Sequence, residues 1–133
     1  MKITYDVLEK LSEAACQNPR LRANIDLRTD EHDCSQRMLN ALEPGTVIPI
    51  HRHRDTAETM IVIRGRLKEL LYDDDGNLTD CFEMSATGKC SILQIEKGQW
   101  HSLECLEPGT VIFEAKDGAY APLTEVDILK GNK

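Results

Sequence analysis

Three of the four histidines and one glutamate carry the residue types and spacing for metal chemistry. His51 and His53 are two residues apart, so in an extended chain both rings project from the same face. Glu58 opens the run Glu58-Thr59-Met60-Ile61-Val62-Ile63, and an antiparallel return across Arg54–Ala57 brings its carboxylate beside the two imidazoles. Far downstream, His101 begins another extended run after Lys97-Gly98. Imidazoles plus one carboxylate, with no thiolate, suit Fe(II), Mn(II), Ni(II), Co(II) or Zn(II). Four such ligands leave one or two positions of a five- or six-coordinate ion open for water, substrate or dioxygen. A bare His-x-His pair, by contrast, is commonly just two strand histidines.

The elements that must position these groups follow from the pattern around them. Residues 5–17 carry Val7, Leu8, Leu11, Ala14 and Ala15 at three- and four-residue spacing, which predicts a helix, and Asn18-Pro19 ends it. Asn24–Arg28 alternates like a short edge strand. From Gln36 onward, short β-branched runs separated by turns predict strands at 37–42, 46–51, 58–64, 66–72, 78–84, 91–96, 100–105 and 110–116. The pattern is that of an all-β barrel or sandwich. Two segments of the chain follow: 1–35, a helix and extended stretch packing on the barrel, and 36–133, the barrel itself. Leu42-Glu43-Pro44-Gly45-Thr46-Val47-Ile48 recurs letter for letter as Leu106–Ile112. Such a repeat suits either two similar halves of one barrel or two instances of one favourable turn.

The frame around the histidines is Gly45, five residues, His51-x-His53, four residues, Glu58, six residues, Gly65. It resembles the first motif of the cupins at every fixed position, and a chance match in a chain this size is rarer than roughly one in 10⁴. The second cupin motif is partly present: Gly98-x-x-His101 stands, while Glu96 and Cys105 replace the usual proline and asparagine. Gln36-Arg37, the run His101–Leu106, and Glu114-x-x-x-Gly118-x-Tyr120 are similar to the WbuC-like cupins of O-antigen polysaccharide clusters. The resemblance implies a double-stranded β-helix (jelly-roll) barrel with a short N-terminal helix. It also implies one divalent transition metal held by His51, His53, Glu58 and His101. It supplies no reaction.

Three further residues are candidates for the site. Arg37, sharing a strand face with Leu39 and Ala41, can clamp a substrate carboxylate or phosphate from inside a barrel, or pair with a surface acid. Glu114, after Val111-Ile112-Phe113, can orient a ligand imidazole or act as a general base. Tyr120 can donate a hydrogen bond at the barrel mouth, or simply pack there. Asp73–Asn77 lacks the glycine and closing glutamate of a calcium loop and reads as a hairpin turn.

Composition narrows the function classes. The 133 residues carry 16 Lys and Arg against 23 Asp and Glu, a net charge of −7 without a basic cluster, which argues against nucleic acid as a partner. No long apolar run or leader pattern is present, so no membrane partner is expected. Five cysteines without a Cys-x-x-Cys pair argue against a disulfide framework. The expectation is a cytoplasmic domain that binds a small-molecule ligand and forms a homodimer. The leading function is a metal-dependent enzyme on a small polar, sugar-like substrate, such as an isomerase, epimerase or dioxygenase. The alternative is a metal-dependent ligand-binding or regulatory module without turnover.

Overall fold

The structure, a computed structural model, describes residues 1–129. The 36–133 segment expected for the barrel therefore ends outside the described residues.

Helix α1 spans Tyr5–Gln17. Thr4 caps it, its Oγ1 accepting from the Val7 amide at 3.4 Å, and Asp6 complements the positive end of the helix dipole. The chain leaves the helix at Asn18, where Pro19 removes the next backbone donor.

Eight strands follow: β1 (Arg22–Asp26), β2 (Ser35–Leu42), β3 (Glu58–Arg64), β4 (Arg66–Tyr72), β5 (Leu78–Ser85), β6 (Ile92–Ile95), β7 (Trp100–Cys105) and β8 (Thr110–Asp117). They form two antiparallel sheets, one in the order β1-β2-β8-β3-β6 and the other β5-β4-β7. This is the jelly-roll arrangement, with the core between the sheets. Leu42, Met60, Val62, Leu67, Met84, Cys105 and Ile112 fill it, drawn from six strands.

The other face of the larger sheet is also covered. Leu39 and Ala41 of β2 and Val111 of β8 pack against Leu8, Leu11 and Ala15 of α1. Arg64 fastens that contact. Its guanidinium donates to the Gly109 carbonyl (2.8 Å) and to Ser12 Oγ (2.9 Å), and pairs with Glu9 at 2.6 Å.

The segment 46–51 is not a strand of either sheet. Pro49 has no amide proton to give a ladder, and only His51 pairs, bridging to His101 on one side and Ile128 on the other. β1, by contrast, is a full partner of β2 from Arg22↔Leu42 to Asp26↔Met38.

At Gly65 the chain turns between β3 and β4 with φ +84°, and a Cβ there would lie 2.3 Å from Thr110 Oγ1. Only glycine fits that turn against β8. After β8 a 3-10 turn spans Glu125–Asp127. Among the described residues no helix is long and apolar enough to cross a membrane, and all five cysteines are free.

Candidate metal centre

His51 and His101 face each other through a reciprocal backbone pair, with the His51 amide donating to the His101 carbonyl at 3.0 Å and the reverse at 2.8 Å. The Gly98 amide donates to the His53 carbonyl at 2.8 Å, tying the third histidine to the turn before β7. These bonds replace the missing strand and hold the three rings with centroids 4.3 to 5.7 Å apart. One ring nitrogen from each lies within 4.8 Å of those of the other two.

The tautomers suit ligation. Nδ1 of His51 lies 2.8 Å from the Pro49 carbonyl oxygen, and Nδ1 of His101 lies 2.9 Å from that of Gln99. A carbonyl oxygen only accepts, so each Nδ1 carries the proton and each Nε2 presents its lone pair. Burial, the largest cause, pushes all three histidines down, His51 to about 3 and His53 and His101 to about 4. The imidazoles are therefore neutral near pH 7, the form that binds metal.

Glu58 begins β3, opposite Ile95 of β6 and Lys116 of β8, and is 3% exposed. Its Oε1 lies 3.3 Å from Nε2 of His53 and 3.9 Å from Nε2 of His101. That oxygen is buried and has no hydrogen-bond partner. Three clustered imidazoles, two of them with Nε2 within 3.9 Å of an orphaned carboxylate oxygen, fit a divalent ion of N/O preference.

Glu114 of β8 is close by, lining both the outer mouth and the inner chamber of the site. Asn40 of β2 donates to its Oε1. Burial first, and then the adjacent Glu58 carboxylate, push its carboxyl up to about 8. Tyr120 lines the outer mouth and is 55% exposed, with the Arg28 guanidinium over its ring.

Arg37 is placed differently from a clamp inside the barrel. It is tied to Asp33 at 3.1 Å and to the Ser35 and Leu27 carbonyls, and it lines neither cavity. The cause is the alternation of β2: Leu39 and Ala41, on its face, pack against α1, while Leu42 faces the barrel core and Asn40 the site.

Two charged residues of the site escape a reading of motifs. Lys116 Nζ donates to Nε2 of His53 at 3.4 Å and lies 3.8 Å from Glu58. Glu69 of β4 is 1% exposed, and burial pushes its carboxyl up to about 9. The signal was the alternation: Glu69 shares its face with Leu67 and Leu71, and Lys116 with Ile112 and Glu114.

The fold and the histidine cluster together define a cupin-type barrel. The crystal structure of the capsular polysaccharide assembling protein CapF from Staphylococcus aureus superposes with a TM-score of 0.65 at 19% identity, over 79% of this chain and 30% of that one. KdgF from Halomonas sp. gives 0.62 at 13% identity, over 77% and 84%. The cupin domain of Cnp3 from Schizosaccharomyces pombe gives 0.56 at 11%, over 74% and 65%. This chain thus spans less than a third of CapF. The chain belongs to the family described as domain of unknown function DUF6016, whose model matches residues 3–84. That stretch includes His51, His53 and Glu58 and stops short of His101. No curated protein sequence matches the chain.

Proposed function

We propose that this protein is a metalloprotein that holds one divalent transition metal through His51, His53, His101 and Glu58 and acts on a small polar, sugar-like molecule. The observation that carries the reading is the buried Glu58 oxygen facing Nε2 of His53 and of His101, with the His101 tautomer fixed by the Gln99 carbonyl.

A bound metal supplies a Lewis acid for substrate oxygens. The chain supplies the rest. Glu114, held by Asn40 and retaining its proton near neutrality, gives or takes a proton beside the site. Arg52 and Arg54 line the outer mouth, a cavity of about 1040 Å³, and pair there with Asp127 at 3.1 and 2.9 Å. Together with Lys116 they offer charge to an anionic group on the substrate.

A role in surface-polysaccharide metabolism is supported by the WbuC-like motifs and by the capsular polysaccharide protein among the structural neighbours. The expected homodimer belongs to this reading too, with β1 and β6, which end the larger sheet, as its pairing edges.

The test is metal analysis of protein purified without added metal, repeated for Glu58→Gln. About one metal per chain in the wild type, lost in the variant, is expected. A chain that neither carries nor rebinds metal overturns the reading. Light scattering at micromolar concentration decides the dimer, and an assay of sugar isomerisation on the loaded protein separates turnover from binding alone.

A further inference from the structure

Behind the histidines, toward the apolar core, is a chamber of about 200 Å³. Its wall is largely hydrocarbon, interrupted by the carboxyls of Glu58, Glu69 and Glu114, the rings of His51 and His101, and the side chain of Arg22. Two of these have protein partners: Glu58 faces His53 and Lys116, and Glu114 accepts from Asn40. Glu69 has none among the described residues. Both its carboxyl oxygens are buried without a hydrogen bond, and its side chain is 1% exposed.

Its place in β4 makes this more than a packing accident. Glu69 stands opposite Phe82 of β5 and Leu103 of β7, two residues after fully buried Leu67 on the same face. A leucine would fill the position without the penalty that a buried, unpartnered carboxyl carries.

We propose that the chamber is a ligand subsite in which Glu69 binds the hydroxyl or amino groups of a small molecule. The identity of that molecule as the substrate handled beside the metal rests on the function proposed above, whereas the subsite itself does not.

The chemistry of the wall narrows the ligand. Three carboxyl groups share the chamber with one guanidinium, that of Arg22, and their oxygens offer acceptors to hydroxyl and amino donors. The volume lies below the range of about 300–1,000 Å³ usual for drug-sized ligands, so the chamber admits a short polyol, an amino alcohol or the terminal carbons of a sugar. The cations Arg52, Arg54 and Lys116 line only the outer mouth, while Arg22, which lines both spaces, donates to the Val47 carbonyl at 2.9 Å. The substrate is therefore oriented, with its donor-bearing end inside and any anionic group outside.

Two measurements test this. The first is thermal unfolding of metal-free Glu69→Leu. A side chain kept for binding at the expense of stability gives a midpoint raised by on the order of 5 °C. A lowered midpoint means that Glu69 is a structural member of the core and overturns the proposal. The second is calorimetric titration of zinc-loaded and metal-free protein with meso-erythritol, and with glycolate as an anionic control. Erythritol should bind the wild type, at least tenfold more weakly to Glu69→Leu, and nearly as well to Glu69→Gln, which still accepts and donates. Glycolate binding should not respond to either change. No erythritol binding by the wild type, or equal binding by Glu69→Leu, overturns the subsite. Erythritol binding that depends on Glu69 in a chain that takes up no metal leaves the subsite standing and removes the metalloprotein reading. Metal uptake without such dependence does the reverse.

Discussion

Along β3 the inward side chains run Glu58, Met60, Val62, and along β8 they run Lys116, Glu114, Ile112. These residues pair in register as Glu58↔Lys116, Met60↔Glu114 and Val62↔Ile112. The two strands thus pass from charge to hydrocarbon together, and the barrel interior has two unlike ends. At the sealed end Leu42, Val62, Leu67, Met84, Cys105 and Ile112 form one buried apolar cluster. At the open end two histidines and three carboxyls share a space in which two carboxyls leave oxygens without a hydrogen bond. One end lowers the free energy of the fold, and the other raises it by keeping polar groups unsatisfied. The contrast teaches how a chain this small carries a poorly compensated polar site: the same strands hold it in place from their apolar halves.

The largest expected effect comes from breaking the sealed end. Leu67→Ala removes a side chain with 0% exposure, and a cavity there should destabilise by about 2–5 kcal/mol. Urea unfolding measures it, and zinc affinity in the surviving folded fraction should change little. Breaking the open end should do the opposite. His101→Ala should weaken metal binding by at least about 100-fold, while the metal-free protein unfolds no earlier than the wild type, as competition with a chromophoric chelator and circular dichroism would show.

The third prediction concerns pH in the metal-free protein. Glu69 and Glu114 are held up at about 9 and about 8 in the fold, against 4.5 for a free glutamate. Between pH 4.5 and 8 the folded chain keeps protons that the unfolded chain releases, so these groups stabilise at low pH and lose that contribution as pH rises. The histidines work in the other direction: held at about 3 to 4 against 6.5, they withdraw stability as pH falls below 6.5. From pH 6.5 to 8 only the carboxyls act. The urea midpoint should fall across that window, with a slope approaching about 1.4 kcal/mol per pH unit for each carboxyl. Glu69→Gln combined with Glu114→Gln should flatten it.

The smallest effect expected is at Lys116, whose ammonium donates to Nε2 of His53. Lys116→Gln removes a like charge from the site and should tighten zinc binding by roughly threefold to tenfold, measured by the same chelator competition.

Much of this contrast was legible in the residues, and the reasons differ by region. The helix at 5–17 has an uninterrupted 3.6-residue pattern and a proline stop, and it lies where that pattern puts it. The strand expected at 46–51 failed because β-branched letters outweighed Pro49, which denies the ladder its donor. The histidine frame was legible because fixed spacing around two turns is a strong signal. For Arg37 the sequence leaves a clamp in the barrel and a pair with a surface acid both open, because both faces of β2 are apolar and nothing local tells a helix-covered face from a barrel interior. Glu69 and Lys116 were visible only as charges in an otherwise apolar alternation, a signal that gains meaning once the inward face is known.

β8 is the last strand among the described residues, yet it is the middle strand of its sheet, hydrogen-bonded to β2 on one side and β3 on the other. During synthesis β2 and β3 emerge with their inner edges bare and must wait for residues 110–117 to arrive between them. The larger sheet cannot close before then, so the inner edges of β2 and β3 stay open to strand-pairing with other chains until β8 has emerged. Emergence of β8, rather than any earlier local event, sets the moment at which those two inner edges are covered.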